Sequence, residues 1–549
     1  MDRRTILAIV LATISLVIYQ FVFAPKEKPA EQVQTEAPAE PSPTQTEEPP
    51  AAPQLDAAEV HATQEGIGVA NILRADSAPL VPVQISGPLY TATIDPAGGV
   101  VSAWSLADYT DYAEKPADLV ADPAKGLFQL ALLTSQGRIE LHDIPFVSEQ
   151  SREDGLDRVT LRAQDPAGWS LRISYTFTPD RYSARVEVET EALPRGSDLE
   201  IIFPEGLPRL EKAAKTDHDA GASLALIGND LTKHRGVKKE GWSASEEGAL
   251  RWVGTRSKYF LAAAIFDPGT EGTYDAVAER EGTTTHVRTI ARIPTNEPGE
   301  GPLSFLLYAG PLELKRLETY HAGLEQAVDL GWKPIVPFSR LLLACLNFLY
   351  SVVPNYGLAI LILSVVAKVA FYPLTRKSLV SMREMQKLKP EIDRINELHK
   401  DDPQRKQQAM MEMYRTRKIN PLGGCLPMVI QMPVFIALYQ VLANSVELRK
   451  EPFVLWINDL SSPDLIGTLM GIPIHILPLL MAATMVWQQR LQPMDPRQAI
   501  IGYLMPIMML VFFYMLPSGL VFYWTINNVL QVGQQIIVNR ESGQQLAAA

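Results

Sequence analysis

The chain has only two cysteines in 549 residues, Cys345 and Cys425, and neither forms a CxxC pair or a Cys/His cluster. That argues against a disulfide framework and a cysteine metal site, and both read as small apolar packing residues. No Walker pattern or other nucleotide motif occurs, so ATP hydrolysis is not expected. His142, His218, His234 and His286 are scattered, without ligand spacing or a nucleophile elbow, and read as solvated or structural. The expectation is a protein with no catalytic residue, metal or cofactor, and not an enzyme. Carboxylates are missing from one kind of place. Six apolar segments, 6–24, 356–374, 422–442, 471–487, 500–516 and 520–538, contain no Asp or Glu.

What is present divides the chain in two. Residues 1–339 carry 31 Lys/Arg against 49 Asp/Glu, a net of −18, and residues 340–549 carry 19 against 13, a net of +6. Phosphate binding needs clustered positive charge, so DNA is not expected as a partner of the acidic half. Segment 6–24 follows Arg3 and Arg4 and is longer than a signal-peptide core, and Pro25 obstructs cleavage after it. It reads as an uncleaved transmembrane anchor. Residues 375–420 hold twelve Lys/Arg, whereas 443–470 hold two and the joint Pro517-Ser518-Gly519 none. Basic loops stay in the cytoplasm, so both chain ends are expected there, with 25–338 on the far side, the periplasm of a bacterium.

The parts follow from composition. Residues 25–53 contain eight prolines and six glutamates and cannot bury a core, so 25–78 is read as a tether. Short alternating runs at 89–94, 171–177, 185–189 and 259–266, with turn signals such as Asp95-Pro96-Ala97-Gly98-Gly99, predict a large all-β sandwich over 79–336. Its last part, 312–330, is amphipathic at helical spacing and predicts a helix packed on the sandwich. Residues 337–354 are apolar but too short to span and read as an interfacial helix, with Trp332 and Tyr350 suited to that zone. The remainder, 355–540, reads as a five-helix membrane core followed by a short tail, 541–549. Within it, 376–419 reads as a cytoplasmic helical hairpin: an apolar stripe from Met382 to Leu398, an N-cap at Asp402 before Pro403, and a second stripe ending in Met413 and Tyr414. Pro390 is expected to kink or divide the first arm. The net positive charge of this connection fits lipid headgroups and ribosomal RNA equally well. The whole is an α-helical polytopic membrane protein with a periplasmic β-sandwich.

One cation breaks the apolar pattern. Lys368 lies in 356–374, where a charge costs roughly 2.5–3.5 kcal/mol on insertion scales. It is eight residues before Arg376, about 12 Å of helix, beyond the reach of a lysine stem. Ser364 is one turn away. In 520–538, Asn527, Asn528, Gln531, Gln534 and Gln535 fall along one helix face, and Gln431 sits within 422–442. These polar groups occupy the cytoplasmic halves of their segments, while the outer halves are nearly all apolar. The pattern predicts a wet cavity open to the cytoplasm and sealed outside, since a through-channel would need polar lining across the full thickness. Interhelical hydrogen bonding accounts for the amides but not for the cation.

The stretches NPLGGCLPMVIQMPVFIALYQ at 420–440, SVELRKEPFVLWINDLS at 445–461 and MLPSGLVFYW at 515–524 resemble the YidC/Oxa/Alb family of membrane-protein insertases. The anchor, tether and β-domain are similar to the arrangement of its Gram-negative members. The resemblance implies a five-helix insertase core around a hydrophilic groove, located in the bacterial inner membrane. Nascent membrane proteins are the implied substrates, and the Sec translocon, membrane lipids and the ribosome, through the cytoplasmic loops, are the implied partners. Lys368 matches the groove arginine of the family, a departure that keeps charge and loses bidentate pairing. By the same resemblance Gln431, Met432, Tyr523 and Trp524 line the groove. The rival reading is a secondary transporter with a periplasmic binding domain, which calls for an inverted repeat that the sequence does not display. A tethered carbohydrate-active enzyme lacks its carboxylate pair.

Overall fold

A computed structural model describes residues 80–547 apart from 136, 165–169, 192–196, 212–220, 236–241, 282–283, 296–301, 401, 418–425, 470–471 and 491–498. The expected anchor and the tether, and also Cys425, lie outside the described residues. The chain divides into a unit that ends at Val328 and one that begins at Asp329.

In the first unit every described strand pair is antiparallel. Strands Val83–Ser86, Tyr90–Asp95, Val100–Thr110 and Pro116–Asp118 form a small sheet, and fourteen further strands pair continuously. Alternation drives this: Tyr90–Asp95 buries every second side chain, as a half-covered strand must. The two large sheets share one strand, Ser243–Arg256. Its first half pairs with Glu271–Glu281 and its second with Ala222–Ile227 and Phe260–Ile265. The crossover falls at Gly248, whose φ of 152° suits glycine alone and whose absent side chain leaves room for Ile227. Between the sheets, Phe128 lies 6.0 Å from Phe305 and 6.3 Å from Phe203, ring centre to ring centre. A buried hydroxyl chain also crosses the gap: Thr289 Oγ1 donates to Ser223 Oγ, and Ser223 Oγ lies 2.7 Å from Tyr274 OH. The sandwich expected from the alternating runs is therefore present.

The amphipathic stretch 312–330 is not one helix. Only Leu314–Glu318 (α1) is α-helical, and Gly323, with φ at 81°, turns the chain into a 3₁₀ segment, Leu324–Ala327. Leu312, Leu317, Leu324 and Leu330 are still buried, so the apolar spacing is satisfied along a broken path. Hydrogen bonds from Leu312 N to Tyr259 O (2.8 Å) and from the Arg256 guanidinium to Ala327 O hold that path on the sheet.

The second unit is helical: α2 Val336–Val352, α3 Tyr356–Ala370, α4 Tyr372–Lys387, α5 Lys389–Leu398, α6 Pro403–Thr416, α7 Leu426–Asn444, α8 Ile476–Arg490, α9 Ala499–Phe513 and α10 Ser518–Ala547. Pro390 divides the polar arm at Leu388, as its ring requires. Asp402 caps α6 by accepting from Gln404 N and Arg405 N, and Arg417 meets Glu391 at 2.9 Å. Between α2 and α3 the chain bends by 120° at Val353-Pro354, and Asn355 caps α3 through the amide of Leu358. Gly357 on α3 lies against the ring of Phe453, where any β-carbon would overlap it.

Among the described residues no single helix is long and apolar enough to cross a membrane by itself, although α2 and α3 pass together as a bent pair. Two of the segments expected as spans are interrupted: 356–374 breaks at Phe371, and 471–487 begins with a small hairpin, Gly467–Leu469 against Ile472–Ile474, whereas 520–538 lies within the continuous helix α10.

The connection between α7 and α8 is tied down by two carboxylates. Asp459 accepts from Lys450 N (3.2 Å), Ser461 N (2.8 Å) and the hydroxyls of Ser461 and Ser462, and Ser518 Oγ donates to the Asp459 carbonyl. Gly519 N donates to Leu460 O at 3.0 Å, so the joint before α10 is fastened to this connection. Asp464 accepts from Leu477 N at the start of α8 and from Trp456 Nε1. Helix α10 then runs among α3, α4, α7 and α8.

Candidate functional site

Helix α3 ends at Ala370, which places Lys368 in its last turn rather than deep inside a longer helix. A cation there complements the partial negative charge of the exposed carbonyls. Its Nζ donates to Gln531 Oε1 on α10 at 2.8 Å, and Gln534 Nε2 reaches the Lys368 carbonyl at 3.5 Å. Two amides one turn apart on α10 thus take the side chain and the backbone of the same residue. Beside them opens a cavity of about 390 Å³ lined by Val365, Lys368, Val369, Tyr372, Leu530 and Gln534. Its walls are largely apolar and Lys368 is the charge among them.

One turn toward the start of α10 the seam continues to α7. Gln431 Nε2 lies 3.4 Å from Asn527 Oδ1, and the Tyr523 phenol shares hydrogen bonds with both side chains. Asn527 also donates to the Tyr523 carbonyl at 2.9 Å, which fixes its amide orientation. Asn528 turns to a third neighbour, donating to Thr484 Oγ1 on α8 at 3.2 Å. Gln535 is buried, and Met432 is half-buried beside Gln431.

Two expected residues stand apart from this seam. Ser364 is fully buried and donates to the Ile360 carbonyl of its own helix at 2.7 Å, the usual retreat of a serine within a helix. Trp524 packs edge-on to Phe435 at 4.9 Å and lies 5.2 Å from Phe513, in an aromatic group joining α7, α9 and α10. Sequence reading passed over Thr484, Tyr372, Phe435 and Phe513. A threonine alone in apolar α8 is a weak signal, and aromatic residues in apolar helices carry none.

The outside of this unit is the reverse of its inside. Val511 is 73% exposed, Val369 69%, Phe348 67% and Met515 65%, whereas Asn527 and Gln535 are each 7% exposed. Water would select the opposite arrangement, because exposed apolar area is costly and buried amides need partners. A hydrocarbon surrounding is compatible with it. Among the described residues no group of acidic, histidine or cysteine side chains is placed to hold a metal ion.

Comparison with known proteins adds a lineage. A family model described as the 60Kd inner membrane protein matches residues 348–545, and one described as the YidC periplasmic domain matches residues 82–338. The membrane protein insertase YidC of Pelobacter propionicus is 33% identical over 566 residues, covering 98% of this chain and 99% of that protein. The membrane protein insertase YidC of Syntrophus aciditrophicus is 32% identical over 569 residues, covering 99% and 100%. A crystal structure of an active YidC insertase with its first transmembrane domain resolved aligns at a TM-score of 0.37 and 15% identity, over 84% of this chain and 93% of that one.

Proposed function

The chain belongs to the YidC family of membrane protein insertases, and from that premise we propose that it moves hydrophilic segments of nascent proteins across the inner membrane along the α10 seam. The single observation that carries this reading is the hydrogen-bonded row Lys368–Gln531, Gln431–Asn527 and Asn528–Thr484, enclosed by helices whose outer faces are apolar. Full-length relatives that are insertases favour this reading over a secondary transporter.

A polar segment entering the seam exchanges water for amides and one ammonium, which lowers the cost of leaving bulk water. Lys368 attracts a carboxylate on that segment. The adjoining apolar segment leaves sideways past Val365 and Val369 into lipid, gaining roughly 25 cal/mol per Å² of apolar area removed from water. Negative charge moving outward is also driven by the membrane potential, by about 2.3 kcal/mol per charge per 100 mV. The work is transfer, and no bond is made or broken.

The proposal includes the finer topology: an anchor at 6–24, both ends in the cytoplasm, 376–419 as a cytoplasmic helical hairpin, and the β-unit in the periplasm. The domain limits given above belong to it as well, and so do the Sec translocon, lipids and the ribosome as partners. The groove is taken to comprise Lys368, Gln431, Met432, Tyr523, Asn527, Asn528, Gln531 and Gln535, with Ser364 and Trp524 at its margins. Photo-crosslinking from positions 368 and 431 during synthesis of a single-spanning protein tests it. Adducts to the nascent chain are expected from both, and adducts from neither position would overturn the seam as the route.

A further inference from the structure

We propose that Gln531 is a positioning residue: it holds the Lys368 ammonium as a neutral, displaceable partner, and so sets how strongly the seam prefers acidic over uncharged segments. This rests on the insertase reading above.

The geometry is specific. The Lys368 ammonium points to Gln531 Oε1 at 2.8 Å, and among the described residues its recorded partner is this amide rather than a carboxylate. An amide oxygen accepts from an ammonium more weakly than a carboxylate does, because only the latter adds an opposite charge. An arriving Asp or Glu side chain therefore outcompetes Gln531, whereas an arriving Asn or Gln side chain only matches it. Gln534 separates the two tasks, since it holds the Lys368 carbonyl while Gln531 holds the side chain. The ammonium can swing without releasing the end of α3. The adjoining cavity of about 390 Å³ gives a carboxylate room to arrive, and its apolar walls, such as Val365 and Leu530, offer that carboxylate no other cation.

The side chain at 531 is intermediate in strength. A leucine there would leave the ammonium without this partner and raise its appetite for any acceptor. A glutamate would close an internal ion pair that an incoming carboxylate must break while displacing like charge. Selectivity is thus a difference between two acceptors of one cation, and Gln531 is the reference acceptor.

The test uses the full chain in a depletion background and one single-spanning substrate carrying either a tail with carboxylates or a matched tail with amides. The readout is the ratio of insertion of the acidic to the amide tail, with protein levels measured in parallel. Gln531→Glu is expected to lower that ratio by about tenfold, whereas Gln531→Leu, which removes a competitor shared by both tails, should leave the ratio near its original value. A purely structural role would move both tails together and leave the ratio alone. If Lys368→Gln abolishes the preference while Gln531→Glu keeps the original ratio, the role of Gln531 is overturned and the seam survives. If Lys368→Gln also leaves the ratio unchanged, the ammonium does not read charge, and both this inference and that part of the insertase mechanism fall.

Discussion

Lys368 Nζ and Gln531 Oε1 lie 2.8 Å apart, joining the last turn of α3 to the middle of α10. The cation therefore meets a neutral acceptor on the seam where α3, α7 and α8 bring polar groups to α10. The consequences of that pairing and of the packing around it can be measured.

Charge at position 368 is the first. Lys368→Arg should retain growth and insertion within about twofold, because the positive charge persists, whereas Lys368→Glu should reduce insertion of acid-tailed substrates by about tenfold or more through like-charge repulsion. Complementation of a depletion strain reads both. Full growth with Glu would remove the electrostatic part of the mechanism.

The connection between α7 and α8 makes a second prediction. Asp459→Ala removes the acceptor of two backbone amides and two hydroxyls and should destabilise this part by about 3 kcal/mol, while Asp459→Asn keeps one acceptor oxygen and should cost about half that. Protease sensitivity between Ser445 and His475 in the full-length protein should rise in that order.

Close packing at Gly357 makes the third. Gly357→Ala forces the Phe453 ring aside and should cost about 1–3 kcal/mol, seen as a lower melting temperature in detergent. Combining it with Phe453→Leu should recover part of the loss, since the two positions share one contact.

The β-unit supplies a pH dependence. Burial holds the His234 imidazole below its ordinary value near 6.5, and Glu246 opposes this more weakly. A base whose folded-state value is lowered binds its proton more readily when unfolded. Its contribution is therefore complete above the ordinary value and is lost as pH falls through it toward the lowered one. Protection of Ala222–Ile227 and Asp230–Arg235 from hydrogen exchange, relative to the intrinsic rate at each pH, should fall below about pH 6.5 in the full chain. His234→Phe should flatten that response, and an unchanged response would assign it to another group.

Much of this was legible from local chemistry. Asp402 before Pro403 is a start signal that works through two backbone amides, and Pro390 lacks the donor that would continue a helix, so both acted as their residue types dictate. Residues Asn527 to Gln531 could be assigned to one face by period alone. What period cannot supply is the partner of each residue. Ser364 and Lys368 lie four residues apart on α3, yet one returns to its own backbone and the other reaches α10. The stretch 312–330 has helical spacing but follows a broken path, because Gly323 takes up a left-handed conformation and the sheet supplies hydrogen bonds in place of helix. Trp524 was placed by resemblance, while its ring neighbours Phe435 and Phe513 come from distant segments. A strand shared by two sheets also has no signature beyond its length and a glycine.

Consecutive residues Asn527 and Asn528 bond to different helices, α7 and α8, while Gln531, one turn on, bonds to α3. One face of α10 is therefore keyed to three helices, and α10 cannot rotate about its axis by even one residue's angle, about 100°, without breaking all three bonds. Loss of any one key, as in Asn528→Ala, would leave two bonds to resist torsion of the whole helix.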